Sequence, residues 1–131
     1  MKPLAQTFIF YGGFWWLGFA AFHAGFWKAF DWKNELAKLT PVNKMIMQAA
    51  DIIMIYLFLF FAYLSFAYAP VLMTQPLGQA VLVFWLGFWI LRTGLQFLLG
   101  STKSAASNIT AALCIVMAVY YAVPVYILSG V

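Results

Sequence analysis

The sequence predicts an all-α integral membrane protein, a bundle of four transmembrane helices with a short amphipathic helix at the membrane surface between the first two. Three observations carry this reading. Two thirds of the residues are apolar and only 8% are charged, a composition that no soluble domain can bury. The apolar residues fall in four runs, each about 20 residues or longer, the length of helix that spans the roughly 30 Å hydrocarbon layer of a bilayer. The breaks between runs fall on Pro, Gly and Lys, the residues that end helices and mark the water boundary.

The first run covers residues 7–27 and is one crossing. The second covers 45–69 and is stopped by Pro70. The third covers 77–99, entered after Pro76 and ended by Gly100; the fourth covers 105–128. With so little polar sequence between the runs, the chain is one transmembrane domain, residues 1–131, and any site lies in the bundle or at its rim. Of the linkers, Lys28 to Lys44 is polar and charged, Val71 to Gln75 is short and uncharged, and Gly100 to Ser104 is a tight turn.

Within the first linker Trp32, Leu36 and Leu39 recur at helical spacing among Lys33, Asn34, Glu35 and Lys38, which predicts an amphipathic helix over 31–39. Asp31 is placed to cap its start and Pro41 follows its end. Trp27, Phe30 and Trp32 have the apolar body and polarizable ring that suit the headgroup boundary.

Orientation follows from the lysines. Lys28, Lys33, Lys38, Lys44 and Lys103 flank the first and third loops, whereas the other side has Lys2. Excess positive charge marks the cytoplasmic side, so both termini are expected outside the cytoplasm. The Asn-Ile-Thr sequon at Asn108 then falls at the cytoplasmic mouth of the fourth helix and is read as coincidence. The net charge of +4 comes from scattered residues at the edges of apolar runs, which suits anionic lipid headgroups and argues against nucleic acid as a partner. A single cysteine, Cys114, allows no internal disulfide.

The informative residues are the polar ones inside the apolar runs, because each costs free energy in hydrocarbon unless it finds a partner or water. At a rise of 1.5 Å per residue, His23 lies roughly 7 Å in from Lys28, Asp51 roughly 10 Å in from Lys44, and Arg92 roughly 10 Å in from Leu99. Gln48 sits one turn shallower than Asp51, Gln96 one turn shallower than Arg92, and Asn108 lies in the first turn of the fourth helix. Every helix thus contributes to one polar layer in the inner half of the bilayer. Asp51 and Arg92 are the expected ion pair. A structural role makes them an interhelical lock, with His23, Gln48, Gln96 and Asn108 filling the remaining hydrogen bonds. A functional role has Arg92 hold an anionic headgroup, carboxylate or other small anion, Asp51 orient it, and His23 respond to pH or transfer a proton.

His23 is the sole histidine and has no cysteine near it in sequence, too poor a ligand set for metal or haem; no cofactor is indicated. Gly18, Ala21 and Gly25 form a small-residue face expected to pack against another helix. Signatures of enzymes that carry a metal-binding His-Glu pair, a serine nucleophile elbow or a glycine-rich phosphate loop are missing.

The segment His23-Ala-Gly-Phe-Trp-Lys-Ala-Phe-Asp-Trp-Lys, with Pro41-Val-Asn-Lys, Met47-Gln48, Leu91-Arg92 and Gln96, resembles a group of small uncharacterised four-helix bacterial membrane proteins. That resemblance implies a bacterial inner-membrane location and no particular activity. In size, helix count and cytoplasmic-side polar layer the chain is also similar to the membrane-associated eicosanoid and glutathione metabolism superfamily, whose trimers bind glutathione between subunits. This similarity points to Asn43, Asp51 and Arg92 as anion-binding groups, although the arginine-rich entry to the second helix that the superfamily uses is missing here. The expectation is therefore a binding, scaffold or accessory protein engaging lipid, a small anion or a larger membrane complex, with homo-oligomerisation open. The alternative is a glutathione-dependent or other small intramembrane enzyme with its site at His23, Asp51 and Arg92.

Overall fold

The computed structural model describes residues 1–130, and every regular element among them is helical. In chain order these are α1 (Lys2–Ala24), α2 (Phe26–Ala29), α3 (Trp32–Glu35) with a 3-10 turn over Leu36–Lys38, α4 (Pro41–Thr74), α5 (Pro76–Leu99) and α6 (Ala105–Leu128). By length and apolar character α4, α5 and α6 are each able to cross a membrane. Although α1 has 23 residues, its glycines, tryptophans, Tyr11 and His23 dilute its hydropathy, and it is not among these three.

The first helix runs over Lys2–Ala24 rather than residues 7–27, and the element boundaries depart from the expected ones in three further places. Pro70 does not stop the second long helix. The helix runs on to Thr74 with a break at Tyr68, whose backbone leaves helical geometry at φ −130° and ψ 21°. A proline lacks the N–H and crowds the preceding turn, so it kinks a helix that continues beyond it. At its other end α4 starts at Pro41 rather than Met45, because Thr40 caps it: the Thr40 Oγ1 accepts from the Asn43 N–H at 3.3 Å, with proline in the first helical position. The helix expected over 31–39 is the last of these departures, its α-helical part covering Trp32–Glu35 before the 3-10 turn. Asp31 occupies its cap position in the left-handed region, φ 51°, without a side-chain cap bond. Its carboxylate instead accepts from the Asn34 side chain at 3.0 and 3.1 Å. The i, i+4 pair of that pattern does face inward, since Trp32 and Leu36 are both buried.

The chain forms two compact units, Met1–Ile9 with Tyr68–Val131, and Phe10–Ala67. In the first, α5 and α6 pack side by side through Leu82, Trp85 and Trp89 on one helix and Ala111, Cys114, Met117 and Tyr121 on the other, all buried. These residues recur every three or four positions, the spacing of one helix face. Trp85 meets Tyr121 edge-on with ring centres 5.5 Å apart, and Tyr120 donates to the Phe8 carbonyl at 2.6 Å. Gly78 is required where the chain enters α5, because a Cβ there would stand 2.5 Å from the Leu72 Cα and 2.6 Å from the Val71 carbonyl.

In the second unit the core is aromatic. Trp16 is fully buried and lies 5.6 Å from Phe58 and 5.0 Å from Phe61, centre to centre. Asp51, Phe58, Phe61, Ala62 and Ser65 of α4 are buried at helical spacing, and on α1 Trp16 and Ala20 are buried with the half-buried His23 on the same face. The buried Ser65 hydroxyl donates back to the Phe61 carbonyl at 2.9 Å. Gly13 lies against the Phe66 ring: a Cβ there would fall 2.6 Å from it, so the ring would have to shift. By contrast a Cβ at Gly18 would meet nothing within 4 Å, so the small-residue face expected to pack is open there.

Candidate functional site

The six polar side chains singled out from sequence divide between the two units: His23, Gln48 and Asp51 lie in one, Arg92, Gln96 and Asn108 in the other. Each of the two ions expected to pair has a partner within its own unit. The Nδ1 of His23 lies 2.8 Å from the Asp51 Oδ1, and the Arg92 guanidinium donates to the Gln96 Oε1 at 2.9 Å.

Asp51 reaches His23 because both lie on the faces of their helices that carry the aromatic core. Asp51 stands two turns before Phe58 on α4, and His23 two turns after Trp16 on α1. The carboxylate side chain is 7% exposed and the imidazole 22%. An ionised carboxylate only accepts hydrogen bonds, so Nδ1 carries the proton of the shared bond and, in the neutral ring, Nε2 keeps a lone pair. Phe26 stacks obliquely on the imidazole with centres 4.3 Å apart, and Phe58 meets it edge-on at 5.1 Å. Phe26 is held in turn by Trp32 at 5.5 Å. The segment after α1 thus packs, through Trp32 and Phe26, onto the ring that holds Asp51. Gln48 is half-buried one turn before Asp51.

In the other unit the polar groups form a chain of bonds. Arg92 donates to Gln96 within one turn of α5, and the Gln96 amide donates to the Ser107 hydroxyl at 2.8 Å and the Ser107 carbonyl at 3.2 Å. Ser107 is held by the start of α6, where its N–H donates to the Ser104 hydroxyl that caps the helix. Asn108 donates to the Thr102 carbonyl at 3.0 Å, closing the turn between the helices. All three acidic side chains of the protein, Asp31, Glu35 and Asp51, lie in the unit built from Phe10–Ala67. Among the described residues of its own unit, the hydrogen-bond partner of Arg92 is the neutral Gln96 side chain.

Sequence reasoning puts Phe26 beside His23 on one aromatic stripe, and the ring contact follows it; it missed Ser107, which receives Gln96, and the ring of Phe58, which meets His23 edge-on. Ser107 carried a signal in its position three residues after a capping Ser104; Phe58, on another helix, carried none. Among the described residues no cluster of three or more His, Cys, Asp or Glu is arranged to hold a metal ion.

Comparison of the chain with known protein families, curated proteins and solved structures finds no match.

Proposed function

We propose that this chain is a polytopic protein of a bacterial inner membrane that binds an anionic group, a lipid headgroup or small anion, at the cytoplasmic leaflet and serves a binding, scaffold or accessory role. The observation that carries the reading is Arg92: a half-buried guanidinium in the apolar helix α5, bonded to the neutral Gln96 in a unit that contains no Asp or Glu side chain. A cation at that depth is costly without a counter-charge, and an anionic headgroup supplies one where snorkelling side chains meet the interface. Lys103 and the Ser104-capped start of α6 add positive potential to the same loop.

In this reading α1 is the fourth crossing. Its 23 residues extend about 34 Å as a helix, enough for a hydrocarbon layer of roughly 30 Å. Lys28, Lys33, Lys38, Lys44 and Lys103 then lie in the cytoplasm and both termini outside it.

Native mass spectrometry of protein released from mixed phosphatidylglycerol and phosphatidylcholine bilayers tests the proposal. The wild type retains phosphatidylglycerol and Arg92→Gln loses that preference. Equal retention by both variants counts against it. The same spectrum reads subunit number and any larger partner.

A second reading, a small intramembrane enzyme, is favoured by the bond between His23 and Asp51, which leaves an imidazole nitrogen able to take a proton. It requires a turnover that Asp51→Asn abolishes while the fold is kept.

A further inference from the structure

Opposite its buried face, α4 carries a second, open seam. Ala49, Tyr56 and Tyr63 recur every seven residues, Ile53, Phe60 and Ala67 recur every seven between them, and all six are exposed. Alternating steps of three and four are the spacing with which two helices pack along each other. The seam faces away from Asp51, Phe58, Phe61 and Ser65, which are buried, and it ends at Ala67, one residue before the break at Tyr68. Lipid tails cover apolar side chains as well as protein does, so most of this seam needs no partner. Tyr56 is different. It stands twelve positions beyond Lys44, roughly 18 Å along the helix and near the middle of a hydrocarbon layer of roughly 30 Å. The residue is 72% exposed, and its hydroxyl makes no hydrogen bond to another described residue. By contrast the polar side chains on the buried face of α4 are provided for, Asp51 by His23 and Ser65 by the Phe61 carbonyl.

A hydroxyl at that depth calls for protein, because lipid tails offer neither donor nor acceptor. A phenol both donates and accepts, so a copy of itself satisfies it. Copies of one chain enter the membrane in one orientation, and a two-fold axis along the membrane normal therefore sets their α4 helices parallel. In a parallel pair each seam residue meets its own equivalent on the other helix, so that one Tyr56 donates and the other accepts. Toward the outer boundary Phe60 and Tyr63 stack at 29° with ring centres 6.4 Å apart and extend the surface offered to the second helix. We propose that a second copy of the chain packs along this seam, parallel to the first, with the two Tyr56 hydroxyls bonded to each other across the two-fold axis. Arg92 takes no part, so the pairing stands independently of anion binding.

Replacing Cys114, the one native thiol, by alanine allows single cysteines to be placed on α4 of the full chain in phosphatidylcholine vesicles. Under mild oxidation Ile53→Cys, Tyr56→Cys and Phe60→Cys should each form a species of twice the mass, because equivalent seam positions bring the two backbones within disulfide reach. Ala50→Cys, exposed less than one turn before Ile53 but about 120° round the helix from Tyr56, should stay at the mass of one chain. The equilibrium is read without cross-linking, from energy transfer between Lys2→Cys copies that carry donor or acceptor dye, as the vesicles are diluted with lipid. Tyr56→Phe alters an exposed side chain and leaves the buried face of α4 intact, so the variant keeps its fold. It should raise the dissociation constant about three- to thirtyfold, the worth of one hydrogen bond between helices in a membrane. Seam cross-links no stronger than that of Ala50→Cys, no energy transfer at any dilution, or a constant unchanged by Tyr56→Phe overturns the pairing. Oxidation of Tyr56→Cys in cell membranes that joins it to a protein of different mass, in place of a doubled chain, overturns the second copy and assigns the seam to another membrane protein.

Discussion

The imidazole of His23 and the carboxylate of Asp51 meet at 2.8 Å across 28 residues of sequence, joining α1 to α4 inside an aromatic core. Both groups are more than three-quarters buried, so each would be left poorly solvated without the other. His23→Ala is expected to destabilise the protein by about 1.5–3 kcal/mol, the worth of a hydrogen bond to a charged group plus the carboxylate left without its donor. A double-mutant cycle with Asp51→Ala should show a coupling of about 1–3 kcal/mol. Reversible unfolding in mixed micelles measures it, and strictly additive single changes would mean the contact contributes nothing.

The depth argument placed His23 and Asp51 in one layer yet gave Asp51 to Arg92. Depth along a helix is legible in sequence because the rise per residue is fixed. Which helices are neighbours is not, since that depends on how whole faces pack, here the fit of Trp16 against Phe58 and Phe61. Contacts within a single helix were readable for the opposite reason: Arg92 and Gln96, one turn apart, bond as their spacing implies. The passage of α4 through Pro70 was not readable either, because proline both ends helices and kinks them, and only the residues packed around it decide which.

Gly13 and Gly18 lie on the same helix and should respond in opposite directions to the same change. Alanine at Gly13 drives a methyl group to 2.6 Å from the Phe66 ring, which Phe10 and Phe14 hold at 5.2 and 4.9 Å. The ring has little freedom to yield, so Gly13→Ala is expected to cost about 1–3 kcal/mol by overpacking. At Gly18 the added methyl meets nothing and brings only the better helix propensity of alanine, worth about 1 kcal/mol at most. Thermal unfolding of the two variants side by side distinguishes them. Equal shifts would contradict the packing described for Phe66.

Gly100 ends α5 with φ −83°, a value any residue adopts, so its requirement is for space. A Cβ there would stand 2.7 Å from the Gln96 Nε2 and 2.8 Å from the Ser107 Oγ, and would also press on the Gln96 carbonyl. Gly100→Ala should therefore break the bond from Gln96 to Ser107 and lower stability by about 1–3 kcal/mol. Adding Gln96→Ala removes the side-chain part of the clash and leaves the backbone part. The double variant should recover some of the loss but not all, as read by unfolding of each variant in the same detergent. Full recovery would mean that the backbone contact is relieved by movement of the turn.

Whether α1 crosses the bilayer decides the topology, and two physical effects oppose each other there. Its glycines and the polar N–H and O–H groups of Trp15, Trp16 and Tyr11 lower its hydropathy, yet Trp16 is fully buried within its unit and so leaves lipid contact to Phe14, Trp15, Leu17 and Phe22, which are exposed. A helix need only be apolar on the surface it shows to lipid, so the composition of the whole helix understates its fitness to span. We expect α1 to cross, with Lys2 and Lys28 on opposite sides. Replacing Cys114 by alanine removes the one native thiol, and cysteines are then introduced singly at Lys2, Lys28 and Lys103 in protein inserted into a bacterial inner membrane. A membrane-impermeant maleimide added from outside should label the Lys2→Cys variant in intact cells with a permeable outer membrane, and the other two only after the inner membrane is broken. Labelling of Lys2→Cys and Lys28→Cys from the same side would leave three crossings and put α1 on the surface.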